Sequence, residues 1–171
     1  VCVVVAGLHV PTFHRWAALA GVVPRIAVNH GYCFAGNAAL FGAADLRIAT
    51  ANSCIGMAGP AMIEGGGLGV FKPEQIGPVS VHRENGVIDI VVSDEAEAVR
   101  VAKQALACVQ GPLADWVCHD QKALAELMPS NRRYTYDVRK VLNQVLDKDS
   151  FIETRPEAGR AVVTGLARVE G

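Results

Sequence analysis

The first 57 residues alternate short apolar, β-branched runs with segments suited to helices. Runs of Val and Ile favour strands, and small residues or a leading proline favour helices between them. Strands that alternate with helices are typical of α/β proteins, in which right-handed crossovers join parallel strands. We therefore predict a mostly parallel sheet, with strands at Val1–Ala6, Pro24–Asn29, Leu46–Thr50 and Ser53–Met57 and helices at Pro11–Gly21 and Asn37–Ala44.

The composition limits the classes of partner. Of the 171 residues, 51% are hydrophobic, 6% are aromatic and 17 are Gly. The sequence has no run of about 18 uninterrupted apolar residues, so we expect no membrane-spanning helix. The formal net charge of −1 leaves no basic surplus for binding nucleic acid or anionic lipid. Apolar residues beyond the needs of one small core predict an interface with another copy of the chain, hence a homo-oligomer.

The rest of the chain predicts one long loop followed by further strands and helices. The loop, Gly56–Gly77, is dense in Gly and Pro, and a loop of this length is usually functional, so we interpret it as a wall of the site. The dipeptide Asn85-Gly86 predicts a β-hairpin turn between its flanking strands. The expected elements are hairpin strands at Val79–His82 and Val87–Val92, a helix capped by Ser93 with Val99, Ala102 and Leu106 on one face and ended by Gly111-Pro112, a short helix at Gln121–Leu127, a helix at Tyr136–Asp147, and strands at Phe151–Thr154 and Ala161–Val169.

The segment from His30 to Ala38 is the first candidate site. It places a strand end, a tight turn of small residues and a helix start in succession. Such a turn can direct successive backbone N–H groups into one pocket, where they bind an anion or a developing oxyanion. The alternative is that Gly31, Ala35 and Gly36 only allow a helix and a strand to approach closely.

A second candidate is the glycine cluster Gly65, Gly66 and Gly67. It is not a P-loop, because no Gly-Lys-Ser/Thr follows, and it does not fit a dinucleotide fingerprint. Nucleotide hydrolysis therefore has no support. Glu64, directly before the cluster, is either a general acid or base or a solvated loop carboxylate.

Cysteine and histidine spacings give no metal site. The five Cys residues include no Cys-x-x-Cys pair, and His9 and His14 lie five residues apart, which fits neither one helix face nor a zinc pair. We interpret the cysteines as small buried hydrophobes in a reducing compartment, which predicts a cytoplasmic location. Cys33, beside the turn, is either a nucleophile or a packing residue, and its apolar neighbours favour packing.

Several segments together resemble the crotonase superfamily and, more narrowly, the carboxyltransferase subunit (beta chain) of biotin-dependent acyl-CoA carboxylases of the acetyl- and propionyl-CoA type. The resemblance covers essentially the whole chain, and its motifs are specific when taken together. They are found at residues 23–39, 45–50, 55–70, 86–89, 94–98, 110–112, 136–139, 155–160 and 163–171.

The resemblance implies a crotonase-like α/β fold, a ββα superhelix of which this chain would hold a part. It also implies transfer of CO2 from carboxybiotin to the α-carbon of a short acyl-CoA, such as acetyl-CoA or propionyl-CoA, through an oxyanion-stabilised thioester enolate. Partners would be a biotin carboxyl carrier and a biotin carboxylase. By the same resemblance, 1–112 is the later part of an N-terminal carboxyltransferase domain, 113–135 a linker and 136–171 the start of a C-terminal domain, with the second oxyanion hole beyond Gly171.

The resemblance also assigns roles to residues. The turn matches the family segment whose backbone amides form the first oxyanion hole, so Ala35 and Gly36 are the expected donors and Asn37 the alternative donor. Family members often carry Gly-Gly where this chain has Ala35-Gly36, which leaves the amides in place. Contacts with CoA are expected at Gly31, Cys33 and Phe34 in the turn and at Gly65, Gly66 and Gly67, and Arg25, Arg47 and Lys72 are candidates for its phosphates.

The residues at two positions favour carboxyl transfer over hydration. A hydratase of the same superfamily uses two Glu residues, and this chain has Ala39 and either Gly59 or Ala58 where they align. Hydration then has no general acid and base, whereas an enolate needs only charge stabilisation by N–H dipoles. The alternatives left open are a decarboxylase or transcarboxylase of the same fold, and a non-catalytic, truncated CoA-binding or assembly module.

Overall fold

The computed structural model describes residues 11–131 and 133–171. The strand expected at Val1–Ala6, and with it Cys2 and His9, lies outside the described residues. The chain divides into two compact units, Val1–Ala102 and Lys103–Gly171. The domain extents implied by the family resemblance refer to larger domains, and they stay a prediction.

Seven helices and seven strands are found in the described residues, with short 3-10 turns at Pro73–Gln75 and Gln121–Ala123. The helices are α1 (Thr12–Ala18), α2 (Gly36–Gly42), α3 (Pro60–Gly65), α4 (Val79–His82), α5 (Glu95–Ala107), α6 (Leu124–Leu127) and α7 (Val138–Val145). The strands are β1 (Ile26–Asn29), β2 (Tyr32–Phe34), β3 (Leu46–Thr50), β4 (Cys54–Gly56), β5 (Ile90–Val92), β6 (Ile152–Thr154) and β7 (Thr164–Leu166).

The parallel sheet expected from the alternating pattern is confirmed in the first unit. Strands β1, β3 and β5 form one sheet in the order β1-β3-β5, and both pairings are parallel. Strands β2 and β4 form a second parallel pair. Ile48 and Ala49 in the central strand are fully buried because both faces of a parallel sheet are covered.

The predicted hairpin at residues 79–92 is wrong. Val79–His82 is helix α4. β5 pairs in parallel with β3 and not in antiparallel with the segment that directly precedes it in sequence. The Asn85 side chain accepts a bond from the Val87 N–H at 3.0 Å, so this dipeptide shapes the end of a helix. In a strand Val79 and Val81 would lie on the same face, yet Val79 is buried and Val81 is 52% exposed, which fits a helical turn instead.

Three further expectations need correction. The turn after His30 contains a short strand, β2, and the predicted long loop at residues 56–77 contains helix α3 and a 3-10 turn. Helix α5 is capped by Asp94, whose carboxylate accepts the Glu97 N–H at 2.8 Å, while the predicted cap Ser93 donates to the Glu97 side chain. The buried stripe of α5 is Ala98, Val101 and Ala105, one residue before the predicted face.

Two arginines of the first unit each form two hydrogen bonds to one carboxylate. Arg25 contacts both oxygens of Asp45, at 3.2 and 2.7 Å, and its guanidinium lies 5.7 Å from the Trp16 ring centre. Arg47 contacts both oxygens of Asp89, at 2.9 and 3.1 Å. Pairs of this kind match the fork of the guanidinium to both oxygens of the carboxylate. Arg25 and Arg47 thus pair with carboxylates, and the expectation that Arg25, Arg47 and Lys72 contact CoA phosphates stays a prediction.

Acid should weaken the contact between Arg25 and Asp45. The Arg25 side chain, hydrogen-bonded to Asp45, lowers the pKa of this carboxyl in the folded state. A lowered folded pKa contributes stability above the unfolded value of about 3.9, and this contribution is lost as the pH falls through the folded pKa. We expect Asp45→Asn to lower the melting temperature at pH 7, with the difference from wild type shrinking below about pH 4. Melting curves between pH 2.5 and 7 measure this.

The matched control is Glu84→Gln, which neutralises an exposed carboxylate in the same unit. It should leave both the melting temperature at pH 7 and its pH dependence nearly unchanged. A constant difference between Asp45→Asn and wild type at every pH would contradict the proposed linkage.

The second unit holds the antiparallel pair β6 and β7. Arg139, at the start of α7, forms an ion pair with Glu153 on β6. Asp147 is buried and accepts the Glu170 and Gly171 N–H groups at 3.0 and 2.8 Å. The helix and strands expected at residues 136–169 are confirmed, with shorter bounds than predicted.

Candidate active site

The turn from Gly31 to Asn37 follows β1 directly and leads through β2 into α2. Gly31 has φ +73°, a value that glycine adopts without strain. Its carbonyl accepts the Asn29 side-chain amide at 3.0 Å and the Cys54 N–H at 2.9 Å. Two hydrogen bonds therefore hold the start of the turn, one from the end of β1 and one from the start of β4.

Ala35 precedes helix α2 in an unusual backbone conformation, with φ +55° and ψ −124°. This region belongs almost entirely to glycine, and an alanine there costs about 1–3 kcal/mol. The Ala35 N–H donates to the Gly56 carbonyl at 3.0 Å, so this amide is engaged within the fold. Of the three amides expected as oxyanion donors, Ala35 thus already has an acceptor, while Gly36 and Asn37 occupy the first two positions of the helix.

The N–H groups of Gly36 and Asn37 have no intrahelical acceptor, as in the first turn of any helix. Within residues 11–131 and 133–171, neither amide donates a backbone hydrogen bond. Gly36 lies under Phe13, since a Cβ at this position would be 3.0 Å from the Phe13 ring. The structure therefore brings two amides together at the predicted turn, with the Phe13 ring beside the Cα of Gly36.

Replacing Ala35 by glycine should stabilise the protein. Glycine relieves the strain at φ +55°, and part of the gain is lost to the greater freedom of the unfolded chain. We expect a net stabilisation of about 1 kcal/mol. Ala39→Gly, inside α2, is the control and should destabilise by about 1 kcal/mol. Urea unfolding of both variants is the measurement, and a loss of stability in Ala35→Gly would contradict the strain.

The two predicted CoA contacts beside Ala35 are packing residues in this structure. Cys33 is buried, and this burial raises the pKa of its thiol, which weakens it as a nucleophile. Phe34 lies 3.5 Å from the position of a Cβ on Gly59 and stacks on Tyr32 with 6.0 Å between ring centres. Direct contact of Cys33 or Phe34 with CoA stays a prediction.

The cluster of three glycines ends helix α3. The Gly67 N–H donates to the Glu64 carbonyl at 2.9 Å and the Leu68 N–H donates to the Ile63 carbonyl at 3.1 Å. With φ +69° at Gly67, this is a Schellman ending of a helix. The Gly66 N–H is also engaged, since it donates to the Met62 carbonyl at 3.0 Å, and a role of the cluster in holding CoA stays a prediction. Glu64 is exposed, as expected for a solvated carboxylate.

An apolar cavity of about 750 Å³ adjoins the turn on the side of α1. Trp16 and Leu19 from α1, Val28 from β1 and Leu40 from α2 line it, and Asn37 lies at its wall. The Trp16 indole N–H donates to the Leu40 carbonyl at 3.0 Å, which fixes α1 against α2. The cavity therefore places apolar surface beside one of the two helix-start amides.

A polar cluster around His30 was not anticipated from the sequence. The His30 ring contacts Thr50 at the end of β3, Asn52 in the following turn and Glu95 at the start of α5. Thr50 is fully buried, and its neighbour Ser53 is 2% exposed. These residues come from distant parts of the sequence and carry no motif, so only the sheet topology brings them together.

Other sequence expectations concern metals and thiols. Cys33, Cys54, Cys108 and Cys118 are free thiols, and the first two are buried. In the described part of the chain, no group of three His, Cys, Asp or Glu side chains is arranged to hold a metal ion. The helices found in those residues are too short or too polar to cross a membrane.

The family model described as "Carboxyl transferase domain" matches residues 3–171. The chain belongs to the carboxyl transferase domain family. This confirms the resemblance to carboxyltransferase subunits of biotin-dependent acyl-CoA carboxylases.

Solved structures support the fold of this carboxyl transferase domain. A single-chain, multi-domain long-chain acyl-CoA carboxylase is 51% identical, with a TM-score of 0.93 over 98% of this chain and 17% of that chain. The transcarboxylase 12S structure, described as a hexamer, is 26% identical with a TM-score of 0.75 over 93% of this chain and 33% of that one. The expected crotonase-like α/β fold is confirmed by these neighbours, for a partial domain.

Curated relatives agree with the structures. The propionyl-CoA carboxylase beta chain of Rhodococcus erythropolis is 29% identical over 93% of this chain and 35% of its own length. The biotin-dependent 3-methylcrotonyl-coenzyme A carboxylase beta1 subunit of Mycobacterium tuberculosis is 29% identical over 87% of this chain and 30% of its own length. The chain thus spans about a third of the length of the curated relatives it matches.

Proposed function

We propose that this chain provides the first half of a carboxyltransferase site, which moves CO2 from carboxybiotin to the α-carbon of an acyl-CoA. The observation that carries the proposal is a family match over residues 3–171 combined with two helix-start amides that have no backbone acceptor in the described residues. Carboxybiotin and acyl-CoA are substrates that reach the site from outside this chain.

In this reaction the chain stabilises the negative charge that develops on the thioester carbonyl oxygen. Removing a proton from the α-carbon of a thioester puts negative charge on the carbonyl oxygen, and fixed N–H dipoles stabilise that charge more than the neutral ground state. In this proposal, Gly36 and Asn37 are the donors, and Ala35 positions them, because its own N–H donates to Gly56. When bound, carboxybiotin supplies the CO2 and the base, so the chain needs no acid-base pair of its own.

The acyl group has two candidates. The family resemblance favours a short acyl-CoA, such as acetyl-CoA or propionyl-CoA. A long acyl chain is favoured by the 51% identity to a long-chain acyl-CoA carboxylase and by the apolar cavity of about 750 Å³ beside Asn37. A cavity of this size lined by Trp, Leu and Val side chains is suited to a saturated chain.

The partners follow from the same reaction. We expect a biotin carboxyl carrier and a biotin carboxylase, either as subunits or as further domains of a longer polypeptide, and a homo-oligomer that completes the site. The buried free thiols fit a reducing, cytoplasmic setting.

The test uses the full polypeptide with a biotinylated carrier, bicarbonate and ATP, and compares acyl-CoA substrates of two to eighteen carbons. Carboxylated acyl-CoA is measured by mass spectrometry. A maximum at two or three carbons supports the short-chain substrate, and a maximum above twelve supports the long-chain substrate. Decarboxylation without any net carboxylation would support the decarboxylase alternative, and no turnover in either direction would support the non-catalytic module.

A further inference from the structure

The cavity beside the turn is larger than a two- or three-carbon acyl group needs. Its volume of about 750 Å³ lies in the range of sites that enclose a drug-sized ligand. Apolar side chains of α1, β1 and α2 form most of its wall, namely Trp16, Leu19, Ala27, Val28, Leu40 and Phe41. Val28 is 45% exposed and Leu19 is 38% exposed. An apolar group that covers this surface removes it from water, which is favourable.

The cavity extends along α2 from the start of the helix. Asn37 lies in the first turn, and Leu40 and Phe41 follow one turn later on the same face, since residues three and four apart are neighbours on a helix. With a rise of 1.5 Å per residue, Leu40 and Phe41 lie about 5 Å along the axis from Asn37. A thioester whose oxygen accepts the Asn37 N–H can therefore extend its acyl chain along this face of α2.

Trp16 is a fixed part of the wall. Its indole N–H donates to the Leu40 carbonyl at 3.0 Å, and the Arg25 guanidinium lies 5.7 Å from its ring centre. Arg25 is in turn held by both oxygens of Asp45 and is 9% exposed. The ring cannot turn away without losing these contacts. A preformed wall of this kind gives dispersion contacts to an acyl chain without the cost of ordering a side chain.

The charge of the wall also suits a neutral chain. Among the described residues that line the cavity, Arg15 is the only charged one, and it is exposed. Its guanidinium can stay in water while its methylene groups face the cavity. The Asn29 side chain is already used, because it donates to the Gly31 carbonyl at 3.0 Å. An apolar chain that enters here therefore buries no unpaired charge.

We propose that this cavity binds the acyl chain of the acyl-CoA, with the thioester at Asn37 and a saturated chain longer than three carbons between Trp16 and Val28, and that these two residues determine the chain-length preference. The inference rests on the proposed function, since it concerns the substrate of that reaction. Binding of the chain is measured without carboxyl transfer, so the two can be tested separately.

The experiment titrates the full polypeptide with saturated acyl-CoAs of two to twelve carbons in a calorimeter. ATP is omitted so that no carboxybiotin forms, and each acyl-CoA is kept below the concentration at which it forms micelles. Each methylene that the cavity buries should tighten binding by up to about fourfold. We therefore expect the Kd of the wild type to fall steadily beyond three carbons, and kcat/KM in the complete reaction to rise with it.

Two variants test the wall from opposite sides. Val28→Trp fills the cavity from β1, and a strand accepts a tryptophan at a half-exposed position. It should reduce the gain in affinity between two and twelve carbons by at least about tenfold. Trp16→Leu removes the fixed ring and should weaken binding of the longer chains by about tenfold. The matched control is Val81→Trp on α4, 52% exposed and outside the cavity lining, which should show the same chain-length dependence as wild type.

The outcomes separate the two proposals. Equal affinity of the wild type for all chain lengths, or full chain-length dependence in Val28→Trp, would show that the cavity does not hold the acyl chain. If Val28→Trp instead lowers the mass measured by light scattering, and the wild type shows no chain-length dependence, a second copy of the chain covers the cavity and the inference is wrong. If binding depends on chain length in wild type and loses this dependence in Val28→Trp, but no carboxyl transfer occurs, the acyl site stands and the proposed function is wrong.

Discussion

Replacing Gly36 by proline in an Ala35→Gly background is expected to lower carboxyl transfer by about 100- to 1000-fold. Proline removes the Gly36 N–H, one of the two proposed oxyanion donors. The first position of a helix accepts proline well because its φ is already helical and its N–H has no intrahelical partner. Helix α2 should therefore form normally in this variant.

The Ala35→Gly background is needed because the proline ring clashes with the Cβ of the preceding residue unless that residue is extended. Ala35 is not extended, with φ +55° and ψ −124°. Glycine removes the Cβ and is the residue that this conformation favours. The reference rate is that of Ala35→Gly alone, so that the effect of the proline is isolated.

The matched control is Ala35→Gly with Gly36→Ala. Alanine adds a Cβ in the same place, 3.0 Å from the Phe13 ring, but keeps the N–H. Its transfer rate should stay within about tenfold of the reference, since the Phe13 side chain can move. Equal losses in the proline and alanine variants would mean that the space under Phe13 matters and the amide does not. Rates are measured as single turnovers with saturating acyl-CoA.

Local sequence patterns were sufficient to predict several of the helices and strands. β3 was predicted with its observed bounds, and α1, β1 and α5 were predicted within a few residues, because β-branched runs and helix-favouring segments act over short distances. The predicted hairpin was wrong because it depended on a local signal alone. Asn85-Gly86 is a strong turn signal, but the burial of Val79 and the parallel pairing of β5 with β3 determined the structure. Such pairing joins residues about 40 positions apart, which no local pattern contains.

The candidate site was predicted in part. The turn and its helix start follow from the spacing of small residues, and the roles of its residues came from the family resemblance. The engagement of the Ala35 N–H by Gly56 could not be predicted, because a backbone bond across 21 positions leaves no signature in side-chain identities. The His30 cluster was missed for a related reason: Thr50, Asn52 and Glu95 are common residue types that meet only once β1, β3 and α5 are assembled.

Gly77→Ala is expected to destabilise the first unit by about 3–4 kcal/mol. A Cβ at this position would lie 1.8 Å from the Ile55 carbonyl oxygen and 2.7 Å from His82 Nε2, and Gly77 has φ +57°. The clash would break two bonds that hold β4, from the Ile55 N–H to the Gly77 carbonyl at 2.8 Å and between His82 Nε2 and the Ile55 carbonyl at 2.7 Å. Hydrogen exchange of the β4 peptides in increasing urea measures the local free energy of unfolding.

Two comparisons decide which property of Gly77 matters. Gly42→Ala adds a Cβ at the end of α2, where no atom lies within 4 Å, and should stabilise by about 0.5–1 kcal/mol. Gly77→Asn separates strain from crowding, because asparagine tolerates positive φ better than alanine but carries the same Cβ. Equal destabilisation by asparagine and alanine would show that the closeness of the Ile55 carbonyl requires glycine. A large recovery with asparagine would mean that backbone strain is the cause and that β4 and the 3-10 turn segment can move apart.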